Sequence, residues 1–200
     1  DRWQLCLQGN PDNRRGAIAE AMEDADVVIS FACPGPGIIK PEWVSTMAQD
    51  AIVFACSNPT PEIWPWEAKE AGARIVGTGR SDFANQLNNS LGFPAIFRGA
   101  LDVRAKTITD EMCLAAAHEL AATGREYGLS EDTILPKMDD FEIYPREALA
   151  VGLCAIEQGV AQIEMSRDEL DQTVRSRIGA GKEMIESMME HGLLKSAPEE

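Results

Sequence analysis

The sequence predicts an α/β fold, a doubly wound parallel sheet followed by C-terminal helices. Three observations predict it. Apolar runs of strand length recur at residues 26–31, 52–56 and 74–78. They are continuous rather than alternating, the pattern of strands covered on both faces of a parallel sheet. Beyond Thr107 these runs give way to helical spacing.

The elements follow in chain order. Residues 17–23 read as a helix leading into the first strand at 26–31. The Pro/Gly cluster 34–37 comes next, and 41–48 reads as a short helix with Pro41 in its first turn. The second strand is 52–56, a helix over 66–71 ends at Gly72, and the third strand is 74–78. Right-handed crossovers make the strands parallel, with 27–29 alongside 52–54. In the C-terminal half, Met112, Ala116 and Leu120 are spaced for a helix over 110–123. A second helix over 145–163 carries Leu149, Leu153, Ile156 and Val160. A third, over 168–190, carries Leu170, Val174 and Ile178 four apart, and Gly179-Ala180-Gly181 is expected to kink or split it. Residues 127–144 are the longest loop, and 197–200 are expected to fray. The division drawn on this pattern is 1–107 for the sheet domain and 108–200 for the helical segment.

Composition narrows the function. Of 200 residues, 44% are hydrophobic and 26% charged, which argues for a globular chain rather than a disordered or fibrous one. No apolar run is long enough to span a bilayer. The formal charge of -15 repels phosphate backbones, so nucleic acid is not the expected partner. Five cysteines (6, 33, 56, 113, 154) are widely spaced with no C-x-x-C pair, which suits small buried thiols in a reducing cytoplasm better than a zinc site. The chain starts Asp1-Arg2-Trp3, with no initiator Met and no signal peptide, and is expected to be a piece of something longer. The last helix, with Met184, Ile185, Met188 and Met189, is too apolar on one face for a free surface. That face is expected to meet another domain or subunit, or else to pack over the sheet.

Ligands in open parallel sheets bind beyond the carboxyl ends of the strands, which points to three loops. The first is Ala32-Cys33-Pro34-Gly35-Pro36-Gly37, whose glycines suit either a tight turn or close approach to a ligand. The second is Ser57-Asn58-Pro59-Thr60-Pro61-Glu62. Its Asn58 suits an Asx-turn, or else an oriented carboxamide facing a ligand. Glu62 reads as a carboxylate at the start of the next helix. The third, residues 78–90, holds four side-chain amides, Asn85, Gln86, Asn88 and Asn89, among apolar neighbours. Buried amides need a polar network or a ligand. Arg80 and Asp82 read as an ion pair. His118 and His191 read as packing or surface residues, and no triad, EF-hand or H-E-x-x-H pattern occurs.

These loops, in this order, resemble the malic enzymes, the decarboxylating malate oxidoreductases of bacterial type. The residues that carry the resemblance are Pro34-Gly35-Pro36-Gly37-Ile38-Ile39-Lys40-Pro41-Glu42-Trp43, Ser57-Asn58-Pro59-Thr60-Pro61-Glu62-Ile63, Thr78-Gly79-Arg80-Ser81-Asp82-Phe83 and Asn85-Gln86-Leu87-Asn88-Asn89. The run from Phe93 through Arg98-Gly99-Ala100-Leu101-Asp102-Val103-Arg104-Ala105 completes them. The resemblance covers about residues 10–160. It implies a Rossmann-like NAD(P)-binding domain and oxidation of malate to pyruvate and CO2, with hydride passing to NAD or NADP. It implies a divalent metal, Mg or Mn, with malate and pyruvate as ligands; the homo-oligomer is expected from the apolar face of the last helix, and no membrane from the shortness of the apolar runs. It implies that Asn58 lines the nicotinamide side, that Asn88 contacts malate and cofactor, that Asn89 contacts substrate, and that Gly35 and Gly37 pass close to the dinucleotide. The family's G-x-G-x-x-G loop, ribose-reading residue, catalytic Tyr and Lys, and metal-binding acids have no match in the 200 residues. No catalytic or metal-binding role therefore falls on this chain, and the chain alone is expected to be inactive. The alternatives are a non-catalytic nucleotide-binding or assembly domain and another dehydrogenase of the same fold.

Overall fold

A computed structural model of the chain describes residues 7–11 and 13–195. Cys6 and the tail 197–200 lie outside the described residues. The chain divides into two compact units, 1–88 with 129–135, and 89–128 with 136–200. The units part at 88/89, ahead of the 107/108 line drawn on the sequence.

The first unit is built as α1 (Ile18–Met22), β1 (Val27–Ser30), α2 (Pro41–Val44), β2 (Ile52–Ala55), α3 (Pro65–Glu70) and β3 (Ile75–Thr78). The strands lie in the order β1-β2-β3 and both pairings are parallel, with Val27 opposite Ile52 and Ile52 opposite Ile75. The expected sheet is present. α2 stops four residues short of the expected 48 because the Ser45 and Thr46 hydroxyls bond the Glu42 and Trp43 carbonyls and compete with the helix. The expectation of a sheet covered on both faces holds for β2 and β3 but not for β1. Val27 is 45% exposed and Ile29 57%. Val27 and Ile29 alternate along β1 and so share one face, which the described residues leave uncovered, while its other face is in contact. The core of this unit is Met22, Ile39, Val44, Val53, Ala55, Ile63, Ala68 and Val76, with Cys56 partly buried beside it.

The loop 129–135 belongs to this unit through Asn85. That side chain is buried and donates to the Val76 and Glu131 carbonyls at 3.0 and 2.6 Å. It also accepts from the Ile134 N–H at 3.0 Å. Glu131 pairs with Arg74 at 3.0 Å and lies 3.8 Å from Lys69, so this loop carboxylate serves ion pairs.

The second unit is helical: a 3-10 turn at Asn89–Leu91, then α4 (Phe93–Asp102), α5 (Asp110–Tyr127), α6 (Ile143–Glu157) and α7 (Arg167–Glu190). α5 and α7 start at side-chain caps. Thr109 Oγ1 accepts from the Met112 N–H at 3.2 Å, and Ser166 forms a capping box with Glu169. α4 was not assigned as a helix from the sequence. Pro94 in its first turn and an Arg98–Asp102 pair at i,i+4 were the available signals. α6 ends at Glu157 rather than 163 because Gly159 turns into the left-handed region, φ +69°. The expected break at 179–181 is absent: α7 runs unbroken, since an isolated glycine costs a helix only about 1 kcal/mol. The core is Ala100, Val103, Met112, Ala116, Ala148, Val151, Leu170 and Val174. Asp102, buried at the end of α4, bonds Arg98 at 2.6 Å and Arg177 of α7, which ties the two helices. Met184, Ile185 and Met189 are exposed.

Glu147 is fully buried in α6, and neither carboxyl oxygen has a hydrogen-bond partner among the described residues. Burial, and then the Glu119 charge, push its pKa up to about 8. The folded chain therefore holds a proton that the unfolded chain releases above 4.5. Stability contributed by this group is intact below 4.5 and declines as pH rises to about 8. Glu147→Gln is expected to match the parent near pH 4 and to be more stable by on the order of 3–5 kcal/mol at pH 9. Urea unfolding across that range checks it; parallel pH profiles would contradict it.

Candidate functional site

The site is assembled at the carboxyl ends of the three strands, from the loops 31–40, 57–64 and 79–88. Glu62 joins the first two. Its side chain is fully buried. Oε1 accepts from the Ser30 hydroxyl at 2.7 Å, the Ala32 N–H at 3.0 Å and the Ser57 hydroxyl at 2.7 Å. Oε2 accepts from the Ser57 N–H at 3.1 Å. Burial works to raise the pKa of this carboxyl. The bonds from Ser30 and Ser57 outweigh that and hold it below its ordinary value of 4.5. Backbone bonds complete the joint: Gly35 N–H to the Thr60 carbonyl and Ile39 N–H to the Glu62 carbonyl, both 3.2 Å.

Glu62 is thus a brace and not the helix-start carboxylate expected from the sequence. That role belongs to Glu67, which accepts from the Trp64 N–H at 3.2 Å. The signal for the brace was its place between Pro61 and Ile63, too far ahead of the helix at Pro65 to cap it. Burial, and then the neighbouring Glu62 charge, raise the Cys56 thiol and keep it protonated.

The amides follow. Asn58 is exposed, and the Asn58–Pro59 peptide is cis. Its carboxamide lies on Gly79: a Cβ there would stand 3.1 and 3.2 Å from Oδ1 and Nδ2, so glycine is what lets the two loops meet. The Asn58 side chain makes no hydrogen bond to the described residues, so the Asx-turn reading is not realised. Asn88, half-buried, reaches the same residue from the other side, Nδ2 donating to the Gly79 carbonyl at 3.3 Å. The two asparagines singled out in the sequence therefore converge on one glycine. Asn89 is exposed at the start of the next unit's 3-10 turn. Gly35 and Gly37 both lie at positive φ, +124° and +91°, with open space where a Cβ would stand, so their glycine identity answers to backbone conformation.

A family model described as "Malic enzyme, NAD binding domain" matches residues 17–156. This chain belongs to the malic enzyme family. The bifunctional malic/malolactic enzyme of Bacillus subtilis is 46% identical over 166 residues, covering 83% of this chain and 40% of that protein. The NADP-dependent malic enzyme of Halomonas elongata is 40% identical over 166 residues, covering 76% of this chain and 39% of its own length. The crystal structure of Entamoeba histolytica malic enzyme superimposes with a TM-score of 0.94 at 44% identity, over 98% of this chain and 40% of that one. The chain spans about two-fifths of the length of these relatives. The resemblance read from the loops is borne out, as is the α/β, Rossmann-like character of the sheet. Among the described residues no three His, Cys, Asp or Glu side chains come together to hold a metal ion. No helix among them is long and apolar enough to cross a membrane.

The brace makes a prediction. Glu62→Gln keeps the shape but sets an amide donor against either the three donors on Oε1 or the Ser57 N–H. It is expected to cost about 1–3 kcal/mol at pH 7. Because the folded carboxyl has the lowered pKa, the parent's advantage is present above 4.5 and is lost as pH falls through the folded value. Denaturant midpoints at pH 7 and pH 3 check both statements; equal stability at pH 7 would contradict them.

Proposed function

We propose that this chain forms the nicotinamide side of an NAD- or NADP-dependent malate oxidoreductase of the oxaloacetate-decarboxylating type. The overall reaction is malate plus oxidised cofactor to pyruvate, CO2 and reduced cofactor. One observation carries the reading: Asn58 and Asn88 meet at Gly79, and the Asn58 carboxamide is held by packing with its donors and acceptor unspent. A nicotinamide carboxamide needs a donor and an acceptor side by side, and a malate hydroxyl needs either. The nicotinamide, when bound, supplies the hydride acceptor.

The part played by this chain is positional. Asn58 orients the nicotinamide ring and Asn88 orients malate and cofactor together, with Asn89 beside substrate. The braced loop of Gly35 and Gly37 passes the dinucleotide. Holding two reactants in one geometry removes entropy from the barrier before hydride moves. The residues here fit the nicotinamide end of the cofactor. Among the described residues no His, Cys, Asp or Glu side chains gather to hold Mg or Mn. The wider reading places the protein in a reducing cytoplasm with its thiols free, as a homo-oligomer covering the exposed Met184, Ile185 and Met189 face. It gives no part to nucleic acid or membrane.

The test is kinetic. The full-length protein is expected to reduce NAD or NADP with malate and Mg or Mn, while residues 1–200 alone stay at the blank. In the full-length protein Asn88→Ala is expected to lower kcat and raise the malate KM. Asn58→Ala is expected to act on the cofactor KM. Each loss is roughly ten- to two-hundredfold, one hydrogen bond to a buried ligand. Parent kinetics in Asn88→Ala would remove that residue from the site. Cofactor binding without malate turnover would favour the non-catalytic domain.

A further inference from the structure

The structure leaves one feature of the Asn58 site unaccounted for. The Asn58 side chain makes no hydrogen bond to the described residues, and it is exposed. It is held only by packing on Gly79 and by the course of the loop that carries it. From β3's side that loop receives a side-chain hydrogen bond next to Asn58. Arg80 Nη1 donates to the Pro59 carbonyl at 3.3 Å, one residue beyond Asn58. The rest of the guanidinium is pinned. Nε and Nη2 bond the two Asp82 carboxyl oxygens at 2.7 and 2.6 Å, a bidentate fork. Its Cζ stands over the Phe83 ring, 5.1 Å from the ring centre. Phe83 stands edge-on to Trp64 and Trp66, which stack on each other at 5.0 Å. A rigid donor is thus aimed from the third loop at the second, beside the glycine on which both asparagines lie.

We propose that Arg80 is a positioning residue, the clamp that sets Asn58 against Gly79 and so aims its carboxamide at the nicotinamide. The inference rests on the function proposed above. Arg80 touches neither cofactor nor substrate; it acts through Pro59. The ion pair with Asp82 holds the fork in aim and is not itself the purpose of the residue. Lysine cannot replace it, because an ammonium has no planar fork to span Asp82 and Pro59 at once.

The experiment uses the full-length protein with NAD or NADP, malate and Mg or Mn. Arg80→Lys is expected to raise the cofactor KM about five- to tenfold, the worth of one hydrogen bond, with the malate KM within about twofold of the parent. Asp82→Asn, which loosens the fork and keeps the arginine, is expected to move the cofactor KM the same way by less. Hydrogen exchange of the segment 56–63 is expected to quicken in both variants while that of β2 and β3 stays unchanged, the signature of a local clamp and not of general loosening. Unchanged exchange in Arg80→Lys would overturn the clamp. Faster exchange with an unchanged cofactor KM would overturn its role at the nicotinamide. A parallel rise in both KM values with faster exchange throughout the sheet would also overturn it, by making the residue a support of the fold. Absence of malate-dependent cofactor reduction in the parent would overturn the functional reading itself, and with it the role given to Arg80, whatever the exchange shows.

Discussion

The candidate site depends on one buried carboxylate. Glu62 sits with no exposed surface between two loops that would otherwise be separate excursions from β1 and β2. Burying a charge without partners is costly, and here four donors are supplied, two hydroxyls and two backbone N–H groups. The donors come from Ser30 at the end of β1, Ala32 just beyond it, and Ser57 just beyond β2. The carboxylate can be satisfied only when both strand ends are in parallel register. The parallel pairing, the backbone bonds of Gly35 and Ile39, and the direction of the Asn58 loop all follow from that arrangement.

The third loop is held differently. Its amides divide the work: Asn85 is spent on backbone groups of β3 and of 131–134, while Asn88 bonds Gly79. Gly79 is the contact that lets the second and third loops close on each other, and Arg80 reaches across beside it. The loops are thus held by polar groups that are themselves buried or pinned, while the Asn58 carboxamide stays exposed with no hydrogen bond to the described residues. The helical unit has the opposite economy. Its Glu147 is buried with no hydrogen-bond partner among the described residues, its pKa pushed up by burial, and contributes nothing that an amide could not.

Much of this was legible in the sequence. The strands are legible because parallel strands read as unbroken apolar runs, and α5 and α7 because Met112, Ala116 and Leu120, and Leu170, Val174 and Ile178, recur at helical spacing. Asn58 and Asn88 were found through motifs, and the structure brings them to one glycine. What stayed hidden needed three dimensions. Glu62 looked like a local helix signal, since nothing in its own neighbourhood in sequence names Ser30 as a partner. The exposure of Val27 and Ile29 follows from one face of β1 being left uncovered by the described residues, which the apolar run does not encode. α4 is hard to read in the sequence because Pro94 and Gly99 interrupt its helical spacing. The breaks assigned to Gly179 and Gly181 overrated glycine, whose cost the rest of a 24-residue helix absorbs.

The central claim is that the loops beyond the three strands carry Asn58 and Asn88 to the nicotinamide and its substrate. The direct measurement is a crystal structure of the full-length protein with reduced cofactor and a malate analogue. The account predicts the Asn58 carboxamide within about 3 Å of a polar atom of the nicotinamide and Asn88 within the same reach of the analogue, with Glu62 still accepting from Ser30 and Ser57. A cofactor bound elsewhere, or Asn58 turned back onto its own backbone with the ligand in place, would contradict it.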